Sequence, residues 1–512
     1  MTQSECEAQE EGGGERRGRS HGGNLAHERD IANCRIVILR GAVTTPSLSP
    51  TTLRLDLRSR TGAGPATETE IGPTDPTRPA VPALRGRIEG VPDVGLEALR
   101  EARASRPGTP HFYWEDPEGG IAIGWGAAAW FHGHGAGRFE EARSWIREIA
   151  AAATLTGAPR GPRPETYLVA AGGFAFRADG GWGSGFDGAT FVVPRVLLHL
   201  RRDVGPVRIV WSRENEPDDG IAADAPPPRA GVPEMPCGAL EESLADREVW
   251  EGAVRDAIAG IADGAIEKVV LARHVSEPLP IGFDPFDLLA RLRERQPGCY
   301  HYLFDFGQDA LLLGASPERL VTVRGVRVFS DAVAGTAPRP AEPRAEAEAV
   351  ARLRASAKDQ WEHAIVVRHI QGALAPFTTE LTVDELPEVQ RLRKLLHLRT
   401  RIAGKAPLGT HVLSLAERLH PTPAVAGSPR DAALAWIAER EPGDRGWYAG
   451  AVGWMTAGGD GDFAVALRGA FVSGRRALLG AGAGIVAGSE PERELDETER
   501  KFRSFLDALR WG

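Results

Sequence analysis

Only five of the cationic side chains in this chain are lysines, Lys268, Lys358, Lys394, Lys405 and Lys501, and the rest are arginine. Arginine cannot act as a base near neutral pH, whereas a lysine buried beside apolar or cationic groups gives up its proton readily. Lys268 leads into the apolar run Val269, Val270, Leu271 and Ala272. It is either a general base or a strand-edge lysine with a solvated ammonium. Glu318 follows Gly314-Ala-Ser-Pro317 at the end of the apolar stretch Leu311 to Leu313. A carboxyl kept partly dry at such a turn has a raised pKa and suits a general acid. The same Ser-Pro-Glu also fits the first turn of a helix, where the dipole favours a carboxylate.

A second chemistry lies in the run Gly480 to Lys501, which joins glycines to carboxylates. Ser489 with Glu492 reads as a capping box, and Pro491 is tolerated in a first turn, so a helix is expected to start there. At about 100° per residue, Glu490, Glu494, Glu497 and Lys501 then share one arc of that helix. Such a stripe either holds a hard divalent cation such as Mg²⁺ or is a solvated face with a Glu497 to Lys501 pair. Gly482, Gly484 and Ala487 also satisfy a dinucleotide fingerprint, but with no second strand after the helix to complete a βαβ unit. A nucleotide-binding oxidoreductase is thus a remote alternative. Lys358, Asp359, Glu362 and His363 precede the apolar residues Ala364 to Val367. Glu362 either joins Glu494 or Glu497 around a shared metal or lies with Lys358 on the outside of an amphipathic helix. Arg468, the only charge in the apolar part of its segment, offers a fork to a substrate carboxylate or forms a structural ion pair. His397 and Tyr448 have the groups to orient a polar substrate.

These residues need a scaffold, and the chain of 512 residues with a net charge of −9 is long enough for one large core. The modest negative charge argues against nucleic acid as a partner. Cys6, Cys34, Cys237 and Cys299 have no metal-like spacing and read as thiols of a reducing compartment. No stretch approaches the roughly 20 apolar residues of a membrane helix, and the Glu- and Gly-rich opening lacks a signal core. A cytoplasmic protein is expected.

Residues 1–85 are expected to be poorly ordered apart from a short strand at Arg35 to Arg40, with loop or linker from about 61 to 97. A β-rich part should span 86–238, ending in the Pro-rich segment from Glu214, and a catalytic region 239–512. Helical spacing falls at 138–155, 240–261, 285–295, 341–374, 430–440 and 490–509, and strands at 167–176, 207–211, 269–275, 300–306, 310–314, 447–456, 462–472 and 476–480. Without regular βαβ alternation, an α+β fold with large, mainly antiparallel sheets and outer helices is expected.

Taken together, the blocks Glu267-Lys-Val-Val-Leu-Ala-Arg273, Gly314-Ala-Ser-Pro-Glu318, Ala334-Gly-Thr336, Lys358 to His363, His420-Pro-Thr-Pro-Ala-Val-Ala-Gly427, Trp447-Tyr-Ala-Gly450, Val465-Ala-Leu-Arg468 and Gly480 to Lys501 resemble the chorismate-utilising enzymes. That family includes isochorismate, salicylate and anthranilate synthases, and the resemblance implies the anthranilate synthase component I fold. Lysine at position 268 resembles the water-using members, and Ala334 stands where aminodeoxychorismate synthases carry a nucleophilic lysine. The resemblance therefore implies isochorismate formation, for menaquinone or siderophore synthesis, with salicylate synthase as the alternative. No glutamine amidotransferase subunit is expected. It further implies Lys268 as base on water, Glu318 as acid on the leaving hydroxyl, and Mg²⁺ on Glu362, Glu494 and Glu497. Gly335, Thr336, His397, Tyr448, Arg468, Gly482 and Lys501 would contact the substrate.

Overall fold

A computed structural model describes residues 81–90, 95–156, 164–201, 205–213, 247–441 and 443–510. All belong to one compact unit spanning Asp75–Gly512. The strand expected at Arg35 to Arg40 and the Pro-rich segment from Glu214 to Gly238 lie outside the described residues.

Alternation along the strands explains the layering. In Ala310–Ser316, Leu312 joins a buried cluster with Phe304, Phe471, Val321 and Phe463, whereas Leu311 and Leu313 join a second cluster with the helix residues Phe286, Leu289, Phe502 and Phe505. Successive strand side chains face opposite ways, so one sheet serves two cores. That sheet has twelve strands, and a second has ten. Val321 and Phe463 belong to the second, so the first cluster is shared between the sheets. All strand pairs among the described residues are antiparallel except Leu84–Gly90 with Thr154–Thr156. The fold is α+β, as expected. Both sheets take strands from before and after residues 214–246: His111–Glu115 pairs with Tyr300–Asp305, and Val169–Phe174 with Ala451–Thr456. Among the described residues no helix is long and apolar enough to cross a membrane.

Several elements differ from the sequence expectation. The 61–97 stretch, read as loop, contains the strand Leu84–Gly90, whose order comes from pairing with Gly205–Arg213 rather than from local propensity. The helical pattern at 341–374 divides into Pro343–Ala355 and Ala357–Leu374, because the Ser356 hydroxyl accepts a hydrogen bond from the Asp359 amide at 3.2 Å and caps the second helix. The strand expected at 462–472 is two, Gly461–Val465 and Gly469–Ser473, broken at Arg468. Trp447 to Gly450 form a turn before the strand Ala451–Thr456. The last helix, Pro491–Leu509, has Glu490 as its N-cap with no capping side chain. The Ser489 hydroxyl instead accepts from the Val486 amide at 3.2 Å, so the capping box does not form.

Candidate active site

Lys268 opens the strand Lys268–Pro278, which pairs antiparallel with Arg476–Ile485 so that Val270 faces Gly484 and Ala272 faces Gly482. The glycine run beyond 480 is therefore strand, not a phosphate-cradling loop, and the dinucleotide reading loses its structural basis. Gly480, Gly482 and Gly484 share one side of that strand. A Cβ at Gly480 would lie 2.4 Å from the Tyr448 ring, one at Gly482 3.3 Å from the Tyr448 hydroxyl, and one at Gly484 2.3 Å from Glu362 Oε1. The missing side chains are what admit those groups. Against this bare face lies a cleft lined by Glu318, Gly335, Thr336, Glu362, His397, Tyr448, Arg468, Gly482, Glu497 and Lys501 among others.

The Lys268 side chain is completely buried, which rules out the solvated strand-edge reading. Its Nζ lies 3.0 Å from Glu362 Oε1, yet makes no hydrogen bond among the described residues. Glu318 sits between the strands Ala310–Ser316 and Arg319–Arg324, so no helix starts at Ser316-Pro-Glu318. The Ser316 hydroxyl donates to the Val465 carbonyl at 2.6 Å, and the Val465 amide donates to the Glu318 carbonyl at 3.1 Å, pinning the turn. Burial pushes the Glu318 carboxyl up to about 8, against the opposing pull of Lys268 and Lys501 and a 3.5 Å hydrogen bond from Thr422. Glu318 is thus protonated at neutral pH, within electrostatic reach of Lys268 and Lys501.

Arg468 occupies the break between two strands with φ of 52°, left-handed backbone that a non-glycine residue adopts at a cost. The side chain is buried, Nη2 meets His397 Nε2 at 3.2 Å, and Nη1 has no partner. No carboxylate pairs with it among the described residues, so the structural ion-pair reading fails. A buried cation without a counter-charge costs several kcal/mol, which makes it unsuited to stability and suited to an anionic ligand. Burial and the Arg468 charge hold His397 down at about 3, hence neutral. Its Nε2 faces Arg468, leaving the Nδ1 proton for the Gly335 carbonyl at 3.3 Å and for Thr336 at 3.2 Å. A register shift between Ala334 and Thr336, with φ of 76° at Gly335, bulges the strand there and brings that carbonyl and hydroxyl to one nitrogen. Tyr448, raised to about 12 chiefly by burial, stays a hydroxyl at neutral pH.

The three carboxylates proposed for a cation come from two helices, Glu362 from Ala357–Leu374 and Glu494 and Glu497 from Pro491–Leu509. Each is matched by a lysine. Lys501 Nζ lies 2.7 Å from Glu497 and donates to the Gly482 carbonyl at 2.6 Å, and Lys358 Nζ donates to Glu494 at 2.6 Å. The Glu497–Lys501 pair of the solvated-face reading does form, but it faces the cleft. Burial and then the Glu497 charge raise Glu494 to about 7. For Glu497 burial is the largest influence and acts upward, but Lys501 and Lys358 together help bring the net shift downward. Glu490 is outside this group: as N-cap it has extended backbone, and its half-exposed carboxylate pairs with Arg493 at 3.0 Å. Among the described residues no three His, Cys, Asp or Glu side chains are gathered closely enough to cage an ion. The donor chemistry fits a hard divalent cation, with lysines holding the carboxylates that would receive it. Two of these partners, Lys358 and Thr422, were visible in the sequence blocks but had no role there. The remaining lysines, Lys394 and Lys405, pair elsewhere with Asp507 and Glu380.

A family model described as chorismate binding enzyme matches residues 91–510. The chain is 35% identical over 417 residues to the salicylate biosynthesis isochorismate synthase of Pseudomonas aeruginosa, covering 78% of this chain and 85% of that protein. It is 43% identical over 330 residues to a putative isochorismate synthase of Mycobacterium tuberculosis, 63% of this chain and 82% of the relative. Among solved structures, the menaquinone-specific isochorismate synthase of Escherichia coli matches with a TM-score of 0.68 at 28% identity, over 84% of this chain and 96% of the other. Anthranilate synthase component I of Streptococcus pneumoniae, at 23% identity and a TM-score of 0.56 over 71% of this chain and 85% of the other, shares the fold.

Proposed function

We propose that this chain, which belongs to the chorismate-binding enzymes, is an isochorismate synthase that adds water at C2 of chorismate and expels the C4 hydroxyl. The observation that carries the reading is a buried carboxyl held protonated at neutral pH, Glu318, lining one cleft with Arg468, whose guanidinium has no carboxylate partner among the described residues, and with Glu362, whose carboxylate meets the buried Lys268 Nζ at 3.0 Å.

Lys268 takes a proton from the attacking water, which requires Glu362 to release the amine. Glu318 passes its proton to the departing hydroxyl as the ring double bonds shift, so one proton is gained and one given, and the net change is an isomerisation. Arg468 and Tyr448 receive the enolpyruvyl carboxylate, and neutral His397 keeps the guanidinium aimed. Gly335, Thr336, Gly482 and Lys501 shape the surface against the ring. Glu362 and Glu497, with Glu494 directly or through water, would hold Mg²⁺, which when bound supplies positive charge opposite the ring carboxylate. Ammonia plays no part, so no amidotransferase partner is needed. The name of one relative supports menaquinone synthesis as the destination, with siderophore synthesis as the alternative, and buried, unpaired Cys299 accords with a reducing compartment such as the cytoplasm.

Incubating the purified protein with chorismate, with and without Mg²⁺, and resolving the products while assaying pyruvate tests this. Mg²⁺-dependent isochorismate without pyruvate is the expected outcome. Salicylate with equimolar pyruvate would make the protein a lyase, and unconsumed chorismate would overturn the reading.

A further inference from the structure

One ionic group beside the cleft has no part in that mechanism. Lys358 stands one helical turn before Glu362 and reaches across to the other carboxylate-bearing helix, where its Nζ donates to Glu494 Oε1 at 2.6 Å. It differs from the other two lysines in its freedom to leave. The Lys268 side chain is 0% exposed and Lys501 is 18% exposed and tied also to the Gly482 carbonyl, whereas Lys358 is 30% exposed while its partner Glu494 is 2% exposed. A lysine stem with a route to water can carry its ammonium outward once another cation takes its place on the carboxylate. An ammonium and a divalent ion cannot both contact one buried carboxylate oxygen, because like charges that close repel strongly where the dielectric is low.

Resting on the reading that Glu362, Glu494 and Glu497 receive Mg²⁺, we infer that Lys358 is a resident counter-cation that the metal must displace from Glu494, and that it sets how much Mg²⁺ the substrate-free enzyme requires. With Lys358 inward, the carboxylates are held without metal and no ligand cage exists. With Lys358 outward, the third carboxylate becomes available. Lys358 acts through Glu494 and is a positioning residue.

Calorimetric titration of the full-length protein with MgCl₂ at pH 8.5, without chorismate, tests this. Lys358→Gln should bind Mg²⁺ about tenfold more tightly than the unmodified chain, the scale of one charge-assisted hydrogen bond, and Lys358→Arg, which keeps the charge, should restore the weaker binding. A purely structural clamp would give equal or weaker binding in Lys358→Gln, which overturns the inference. Glu497→Gln separates the two levels: if it binds Mg²⁺ like the unmodified chain, the carboxylate site itself is wrong and the inference falls with it. If Glu497→Gln loses binding but Lys358→Gln gains none, only the inference fails. A second measurement does not depend on Lys358→Gln folding. With five lysines in the chain, ¹³C-dimethylated protein gives few resonances, and the one absent in Lys358→Arg should shift when MgCl₂ is added. A stationary resonance at saturating Mg²⁺ would overturn the displacement.

Discussion

Two sets of side chains in and beside the cleft handle charge in opposite ways. In one set three carboxylates, Glu362, Glu494 and Glu497, each have a lysine within 3.0 Å. In the other, the guanidinium of Arg468 has no carboxylate among the described residues, and Glu318 avoids charge by keeping its proton. The first set is neutralised from within and must be rearranged to accept a cation. The second is left incomplete, so that an anion from outside completes it. The contrast is typical of a site that spends folding stability on recognition.

The sharpest way to break the comparison is to remove Lys268, which pairs with Glu362 of the first set and acts on Glu318 of the second. Lys268→Ala or Lys268→Gln should lower kcat by about 10²–10⁴-fold while circular dichroism and chorismate binding stay near normal. Near-native turnover in Lys268→Ala would move the base elsewhere. Glu318→Gln should cost on the order of 10²-fold in kcat and change the pH profile. Because Glu318 keeps its proton up to about 8, kcat/KM of the unmodified enzyme should fall as pH rises through that value, and the loss of the donor removes that limb. The linkage has a matching sign. An ordinary glutamate releases its proton near 4.5 and folded Glu318 near 8, so this group's contribution to stability falls as pH rises between them, and Glu318→Gln should flatten that slope.

Arg468→Met probes the incomplete set. It should raise KM for chorismate roughly 10- to 100-fold and also raise the melting temperature, since an unpaired buried charge is removed. A lower melting temperature would show that the guanidinium is held by more than His397. Glu497→Gln probes the neutralised set, and should raise the Mg²⁺ concentration for half-maximal activity about tenfold or more, with an unchanged requirement removing Glu497 from the ligand set. Smallest is Thr422→Val. Its hydroxyl draws the Glu318 pKa down, so the alkaline limb should move to higher pH while kcat changes about two- to fivefold. A limb that moves downward would contradict the hydrogen bond.

Much of this asymmetry was legible in the sequence, because it depends on residue type and local pattern. Lys268 before an apolar run, Glu318 after one, Arg468 alone among apolar neighbours and the Glu494, Glu497, Lys501 spacing are local signals, and the structure gathers them in or beside one cleft. What the sequence hid is relational. Lys358 and Glu494 are 136 residues apart, and nothing near either announces the other. The bulge at Gly335 and the left-handed backbone at Arg468 arise where neighbouring strands meet. Leu84–Gly90 owes its order to a partner strand more than a hundred residues away. Ser489 and Glu492 satisfied a capping pattern, yet the hydroxyl found the Val486 amide first.

The bare face of Arg476–Ile485 also bears on how such a protein is lost by descent. A methyl group at Gly484 would stand 2.3 Å from a Glu362 oxygen and 2.9 Å from Lys268 Cε, and one at Gly480 2.4 Å from the Tyr448 ring. At Gly484 the crowded groups are the site's own Glu362 and Lys268, whereas Tyr448, crowded at Gly480, also belongs to the larger buried cluster. Cellular proteolysis acts on the unfolded fraction, so a Gly484→Ala allele would escape it, yielding a full-length, normally abundant and inert protein. Such an allele would be invisible to any survey of protein level and exposed only by demand for the product.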